Sequence, residues 1–189
     1  EEIRYQLADA GASIVVAVEP FAAVAAEAMA GVDGADELVV IGGEVEGAVP
    51  FTALFGEPID QVPIDPAEHV VALPYSSGTT GLPKVVMLTH SILVANLAQC
   101  ESVLSFEDAE VGLAVLPFFH IYGMQVLMNG LLDQGATVIT MPRFDLVQAL
   151  ELIEQHQVTR FFAVPPIVLA LAKQPVVAEH DLSSLTMVF

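Results

Sequence analysis

Positive charge is scarce in this sequence. The 189 residues hold 5 Lys and Arg against 24 Asp and Glu, a formal charge of −19. A duplex-binding face needs clustered cations to release counterions, and five scattered ones cannot make it. The same shortage argues against an anionic membrane surface as partner. Cysteine is almost missing: Cys100 stands alone, which excludes an intrachain disulfide and a cysteine-rich metal cluster and points to a reducing, cytoplasmic setting. Long apolar runs are missing too. The longest, Phe161 to Ala172, is broken by Pro165-Pro166 and falls short of the roughly 20 residues of a membrane span. The chain opens on Glu1-Glu2-Ile3-Arg4, without an initiator Met or signal pattern, and closes inside the apolar run 185–189, so both ends read as cut.

What is present is core material: 54% of residues are hydrophobic, only 15% are charged, and the mean hydropathy is +0.66. Short β-branched runs alternate with longer periodic ones. The pattern predicts helices over 1–10 and 20–30 and strands over 13–18 and 37–41. A stretch rich in Gly, Pro and acids, 42–66, precedes strands at 70–74 and 85–88 and a helix over 89–100. Strands at 112–116, 136–141, 160–163 and 185–189 then alternate with helices at 120–132, 145–155 and 165–173. Strands apolar on both faces and separated by helices define an α/β fold, with mostly parallel sheets covered by helices on both faces. Two lobes are expected: a partial first α/β lobe over 1–66 ending in the acidic Gly/Pro excursion, and a second over 67–189.

One loop concentrates chemistry. Tyr75-Ser76-Ser77-Gly78-Thr79-Thr80-Gly81-Leu82-Pro83-Lys84 sets four hydroxyls, two glycines and a lysine after a strand. Hydroxyls and the free N–H groups of a glycine turn are donors without net charge, and Lys adds a point charge, a combination suited to a polyphosphate. No acid lies between His69 and Cys100, so repulsion is locally removed from an otherwise negative chain. A plain Ser/Thr/Gly surface loop is the competing reading. The Walker pattern is not met, since Pro83 precedes Lys84 and Val85 follows it, which argues against a P-loop NTPase.

The string YSSGTTGLPK, continued by Val85-Val86-Met87-Leu88-Thr89-His90, resembles the phosphate-loop signature of the adenylate-forming superfamily of acyl-CoA synthetases, luciferases and peptide-synthetase adenylation domains. Further blocks follow in the order of the 4-coumarate:CoA ligases: Leu116-Pro117-Phe118-Phe119-His120-Ile121-Tyr122-Gly123, Met141-Pro142-Arg143-Phe144-Asp145, 164–173 and 181–185. The resemblance implies a luciferase-like N-terminal adenylation domain, present in part, and an AMP-forming ligase that uses ATP, Mg²⁺ and coenzyme A. Ser76, Ser77, Gly78, Thr79, Thr80, Gly81 and Lys84 match the positions that hold the ATP phosphates. His120 matches the histidine that orients the acyl carboxylate, and Tyr122 and Val126 match positions lining the acyl pocket. Arg143 matches a basic position that contacts coenzyme A; a surface Arg paired with Asp145 is the alternative.

Two departures stand out. Val85 occupies a position where the family has Gly, which predicts extended backbone there, because a β-branched residue is strained at positive φ. If the Gly instead serves close approach to nucleotide, Val85 weakens ATP binding. Val126 replaces a small hydroxyl residue of plant members, which bears on the choice of coumarate. His69, His90, His156 and His180 lack ligand spacing, and no metal site is read within the chain; the Mg²⁺ ligands of the family, and its mobile C-terminal domain, would lie beyond residue 189. On this reading the isolated chain is an inactive portion of a carboxylic acid–CoA ligase. The alternatives are a fatty-acyl ligase, a non-catalytic α/β phosphate-binding module and a purely structural domain.

Overall fold

The computed structural model describes residues 1–76, 83–101, 103–104 and 110–189. The described chain divides into two compact units, Glu1–Ile64 and Asp65–Phe189.

In the first unit, α1 (Glu2–Ala10) ends at Gly11, whose left-handed φ of 60° returns the chain into strand β1 (Ile14–Val18). The Ala-rich α2 (Ala22–Met29) then leads to β2 (Glu37–Ile41), which pairs parallel with β1 from Ile14↔Glu37 to Val18↔Ile41. The excursion after residue 42 adds a short edge strand, β3 (Val49–Pro50), parallel to β2. Pro50 is tolerated because an edge strand can do without one ladder donor. The core joins Ala22, Ala25 and Met29 of α2 to Leu38 and Val40 of β2. Alanine spacing on α2 thus serves close packing onto the sheet. Arg4 holds α1 to α2, donating from Nη2 to the Glu27 carbonyl at 2.7 Å and from Nε to that of Ala28 at 3.3 Å.

The second unit opens with two antiparallel ribbons. Strands β4 (Val70–Ala72) and β7 (Leu88–Thr89) pair in one, and β5 (Tyr75–Ser76) and β6 (Lys84–Val85) in the other. α3 (His90–Glu101) follows β7 directly. Then comes a parallel four-stranded sheet in the order β11-β10-β8-β9, from β8 (Val111–Ala114), β9 (Thr137–Thr140), β10 (Arg160–Phe161) and β11 (Met187–Val188). On one face α5 (Leu146–His156) and α6 (Pro165–Lys173) pack Ala149, Ile153 and Ile167 against Leu113 and Phe161. On the other face Leu127 and Leu131 meet Ala114 and Phe162. Helices therefore cover both faces of this sheet, as its apolar strands predict. Gly112 leaves room for Leu131, whose Cδ1 would lie 2.4 Å from an added Cβ.

Two features depart from the sequence pattern. The antiparallel ribbons interrupt the parallel arrangement. The helix expected over 120–132 is wound as a π-helix over Gly123–Gly130 and ends in a short α-helical piece, α4 (Leu131–Asp133). Its first residue is pressed on the preceding loop: a Cβ on Gly123 would lie 2.1 Å from the Pro117 carbonyl oxygen. Gly123→Ala should therefore destabilise the second unit by about 1–3 kcal/mol, the usual cost of overpacking. Chemical denaturation measures it, and an unchanged midpoint would show that the approach is not tight.

A buried ion pair anchors the sheet. Arg160 Nη2 and Nε donate to Glu110 Oε1 at 2.7 Å and 3.0 Å, with both side chains less than a tenth exposed. Thr159 donates its hydroxyl to Glu110 Oε2 and accepts from the Val111 amide at 3.0 Å. Together they tie the starts of β8 and β10.

Candidate functional site

The β5–β6 ribbon is the frame of the hydroxyl loop. Tyr75 pairs with Val85 and Ser76 with Lys84, and Ser76 Oγ donates to the Lys84 carbonyl at 3.3 Å. Residues on either side of the loop are thus held next to each other. Ser77, Gly78, Thr79, Thr80 and Gly81, named above as phosphate-holding positions, lie outside the described residues. Lys84 is exposed at the mouth of the ribbon. Among the described residues the ion pairs are Arg160–Glu110 and His180–Glu154, so the Lys84 ammonium is uncommitted. Val85 lies in the paired strand, and Gln157 is the only non-glycine residue at positive φ among those described, so the backbone at Val85 needs no glycine.

His120 reaches the same place from the other side of a cleft. The loop after β8 turns at Pro117, where the His120 amide donates to the Pro117 carbonyl at 3.1 Å. The Tyr122 amide donates to His120 Nδ1 at 3.2 Å, so in the neutral ring Nε2 carries the proton. The cleft has a volume of about 410 Å³ and is lined by Pro74, Tyr75, Ser76, Val86, Leu88 and the segment Phe119-His120-Ile121. Phe119 is 88% exposed at its rim. A serine hydroxyl, an imidazole and apolar walls therefore share one opening, with Lys84 next to Ser76 in sequence register. Such a site can take an anion at one end and an apolar or aromatic body at the other.

The remaining candidates lie elsewhere. Tyr122 and Val126 pack against the cluster around Leu127 and Phe162. Val126 lines a separate small cavity with Leu97, Cys100 and Leu104. Burial pushes the Tyr122 phenol above its ordinary value of 10.0. The unfolded chain ionises first, so Tyr122 costs the fold stability as pH rises past that value. Arg143 is exposed in the turn after β9; Asp145 does not pair with it but caps α5, accepting from the Gln148 amide at 2.9 Å. His69 Nδ1 accepts from the Asp65 amide at 2.8 Å, and His180 meets Glu154 at 3.3 Å. Among the described residues no group of three or more His, Cys, Asp or Glu could hold a metal ion, and no helix is long and apolar enough to cross a membrane.

Sequence reasoning missed Glu110 and Gln125, two of the three buried polar residues among those described. Their partners are 50 and 32 residues away, and no local pattern announces such pairings.

A family model described as "AMP-binding enzyme" matches residues 1–189, and the chain belongs to that family. It is 42% identical over 194 residues to 4-coumarate–CoA ligase 5 of Oryza sativa subsp. japonica, covering 99% of this chain and 35% of the relative. Against 4-coumarate–CoA ligase 1 of Arabidopsis thaliana it is 48% identical over 153 residues, covering 76% of this chain and 27% of the relative. The chain thus spans about a third of the length of the curated relatives it matches. Its fold is shared with a red-emitting luciferase from Phrixothrix hirtus, at a TM-score of 0.87, 22% identity and coverage of 99% of this chain and 38% of the other. It is shared also with an anthranilate CoA ligase solved in complex with anthranoyl-AMP, at a TM-score of 0.87, 23% identity and coverage of 99% and 37%.

Proposed function

We propose that this chain is part of an ATP-dependent acid–CoA ligase. In this reading a carboxylate attacks the α-phosphorus of ATP, an acyl–phosphate bond forms as the α–β bridging bond breaks, and pyrophosphate leaves. Coenzyme A then displaces AMP to give the thioester. The observation that carries the reading is the cleft in which the flank of the hydroxyl loop, Tyr75-Ser76, faces His120. The identity to 4-coumarate–CoA ligases over nearly the whole chain supports an aryl acid of the 4-coumarate type as substrate.

Each role follows from charge. The leaving pyrophosphate gains negative charge as its bond breaks, so Lys84 and the hydroxyl and amide donors of 76–81 stabilise the transition state more than the ground state. His120, with its proton on Nε2, donates to the carboxylate and aligns it for attack. Tyr122 and Val126, which match acyl-pocket positions by resemblance, pack behind the cleft against the cluster of Leu127 and Phe162 and act on the acyl end only through the helix that carries them. Arg143 serves coenzyme A. The relatives extend well beyond the matched third, and the complete reaction needs more than these 189 residues. Turnover by the isolated chain would contradict that point.

Val85 gives a direct test of the nucleotide end. Its extended backbone leaves close approach to ATP as the property a glycine would change, so Val85→Gly in the longer polypeptide should lower the apparent KM for ATP. An unchanged KM would assign Val85 to the ribbon alone.

A further inference from the structure

Gln125 is a buried polar side chain that the roles above leave unused. It is 5% exposed, and both ends of its amide are engaged. Nε2 donates to the Leu93 carbonyl of α3 at 2.7 Å, and Oε1 accepts from Asn129 Nδ2 at 3.0 Å. The two elements it joins have distinct origins. α3 grows straight out of β7, in the segment that carries the loop ribbon, whereas the π-helix begins three residues after His120. π-Winding places one more residue in each hydrogen-bonded turn than an α-helix and so re-aims the side chains that follow, and such turns collect at functional sites. At its start the same helix is jammed against the Pro117 carbonyl at Gly123. The segment bearing His120 is therefore fixed from two directions, by a backbone stop at Gly123 and a side-chain strap at Gln125.

We propose that Gln125 is a positioning residue, holding the His120 helix to α3 so that the imidazole keeps its place opposite Ser76 and the loop ribbon. The proposal rests on the ligase reading for its consequence, the alignment of acid and α-phosphate, and on hydrogen-bond geometry for its cause. Gln125→Met keeps the volume and removes both bonds. A packing role predicts the same loss in any background, whereas a positioning role predicts a loss that depends on His120.

Two measurements separate these. In the longer polypeptide, Gln125→Met should lower kcat for carboxylate-dependent ATP–pyrophosphate exchange about tenfold, the scale of a lost buried hydrogen bond, with KM for ATP unchanged. Adding Gln125→Met to His120→Ala should then cost nothing further; an equal loss in both backgrounds would overturn the proposal. In the 189-residue chain, ¹⁵N imidazole spectra, assigned with His120→Gln, should show one His120 tautomer with Nδ1 unprotonated. Gln125→Met should average the two tautomers, and a preserved single tautomer would overturn the proposal even if no acid supported exchange. Absence of exchange by the unsubstituted protein would instead overturn the ligase reading. Gln125→Glu, which keeps the acceptor for Asn129 and removes the donor to Leu93, replaces the Met variant if that one fails to fold.

Discussion

Replacing Glu110 by Leu should destabilise the second unit by about 3–5 kcal/mol, the usual cost of leaving one member of a buried ion pair without its partner. The Arg160 guanidinium lies within the sheet, donating two bonds to one carboxylate oxygen and a third contact to Met187 Sδ at 3.2 Å. Removing the carboxylate takes two acceptor contacts from the buried guanidinium beside Met187 and one of the two acceptors of the Thr159 hydroxyl. The double variant Glu110→Leu/Arg160→Met should recover most of the loss, because well-packed apolar side chains often replace a buried pair without net cost. Urea unfolding of the three variants decides it. A Glu110→Leu protein as stable as the parent would mean that water reaches the pair.

The second large effect concerns Lys84. Of the five cations in the chain, Arg160 is neutralised in the core and Arg4 is bonded to the carbonyls of α2. Lys84 is the cation that the ribbon sets beside Ser76, inside a segment free of acids. A preorganised donor aimed at developing charge is worth about 10²–10³ in kcat. Lys84→Ala in the longer polypeptide should therefore reduce pyrophosphate exchange by about that factor, with little change in folding because the side chain is exposed. Lys84→Arg should retain part of the rate, since the charge is kept while its shape changes. Equal rates for Lys84→Ala and the unsubstituted protein would remove Lys84 from the chemistry.

Much of this fold is legible in the sequence, for physical reasons. β2 and β8 are readable as largely apolar runs buried in the sheet, whereas β1, equally apolar in sequence, leaves Ile14, Val16 and Val18 exposed. α5 is readable because Asp145 stands at its cap and Ala149, Leu150 and Ile153 recur on one face. What escapes leaves no periodic signal in the sequence. The β5–β6 ribbon is invisible in a stretch of Ser, Thr and Gly because two-residue strands carry no periodicity. β3 hides in an acidic excursion whose composition signals a loop. The π-winding of Gly123–Gly130 leaves its apolar pattern close to that of an ordinary helix.

The candidate site divides in the same way. The loop string and the His120 block can be read as motifs, and the fold brings Ser76 and His120 to one cleft. Tyr122, within that block, and Val126, just after it, turn instead toward the apolar cluster behind it, because a helix face sends neighbouring residues in different directions. Gln125 was unreadable because a glutamine amid apolar residues looks like an exposed position until its partner on α3 is known.

The most direct test of the central claim is carboxylate-dependent ATP–pyrophosphate exchange by the longer polypeptide, comparing 4-coumarate with medium-chain fatty acids and with no acid. The account predicts exchange that requires an acid and is fastest with 4-coumarate. A protein that binds ATP yet exchanges pyrophosphate with none of these acids would contradict it.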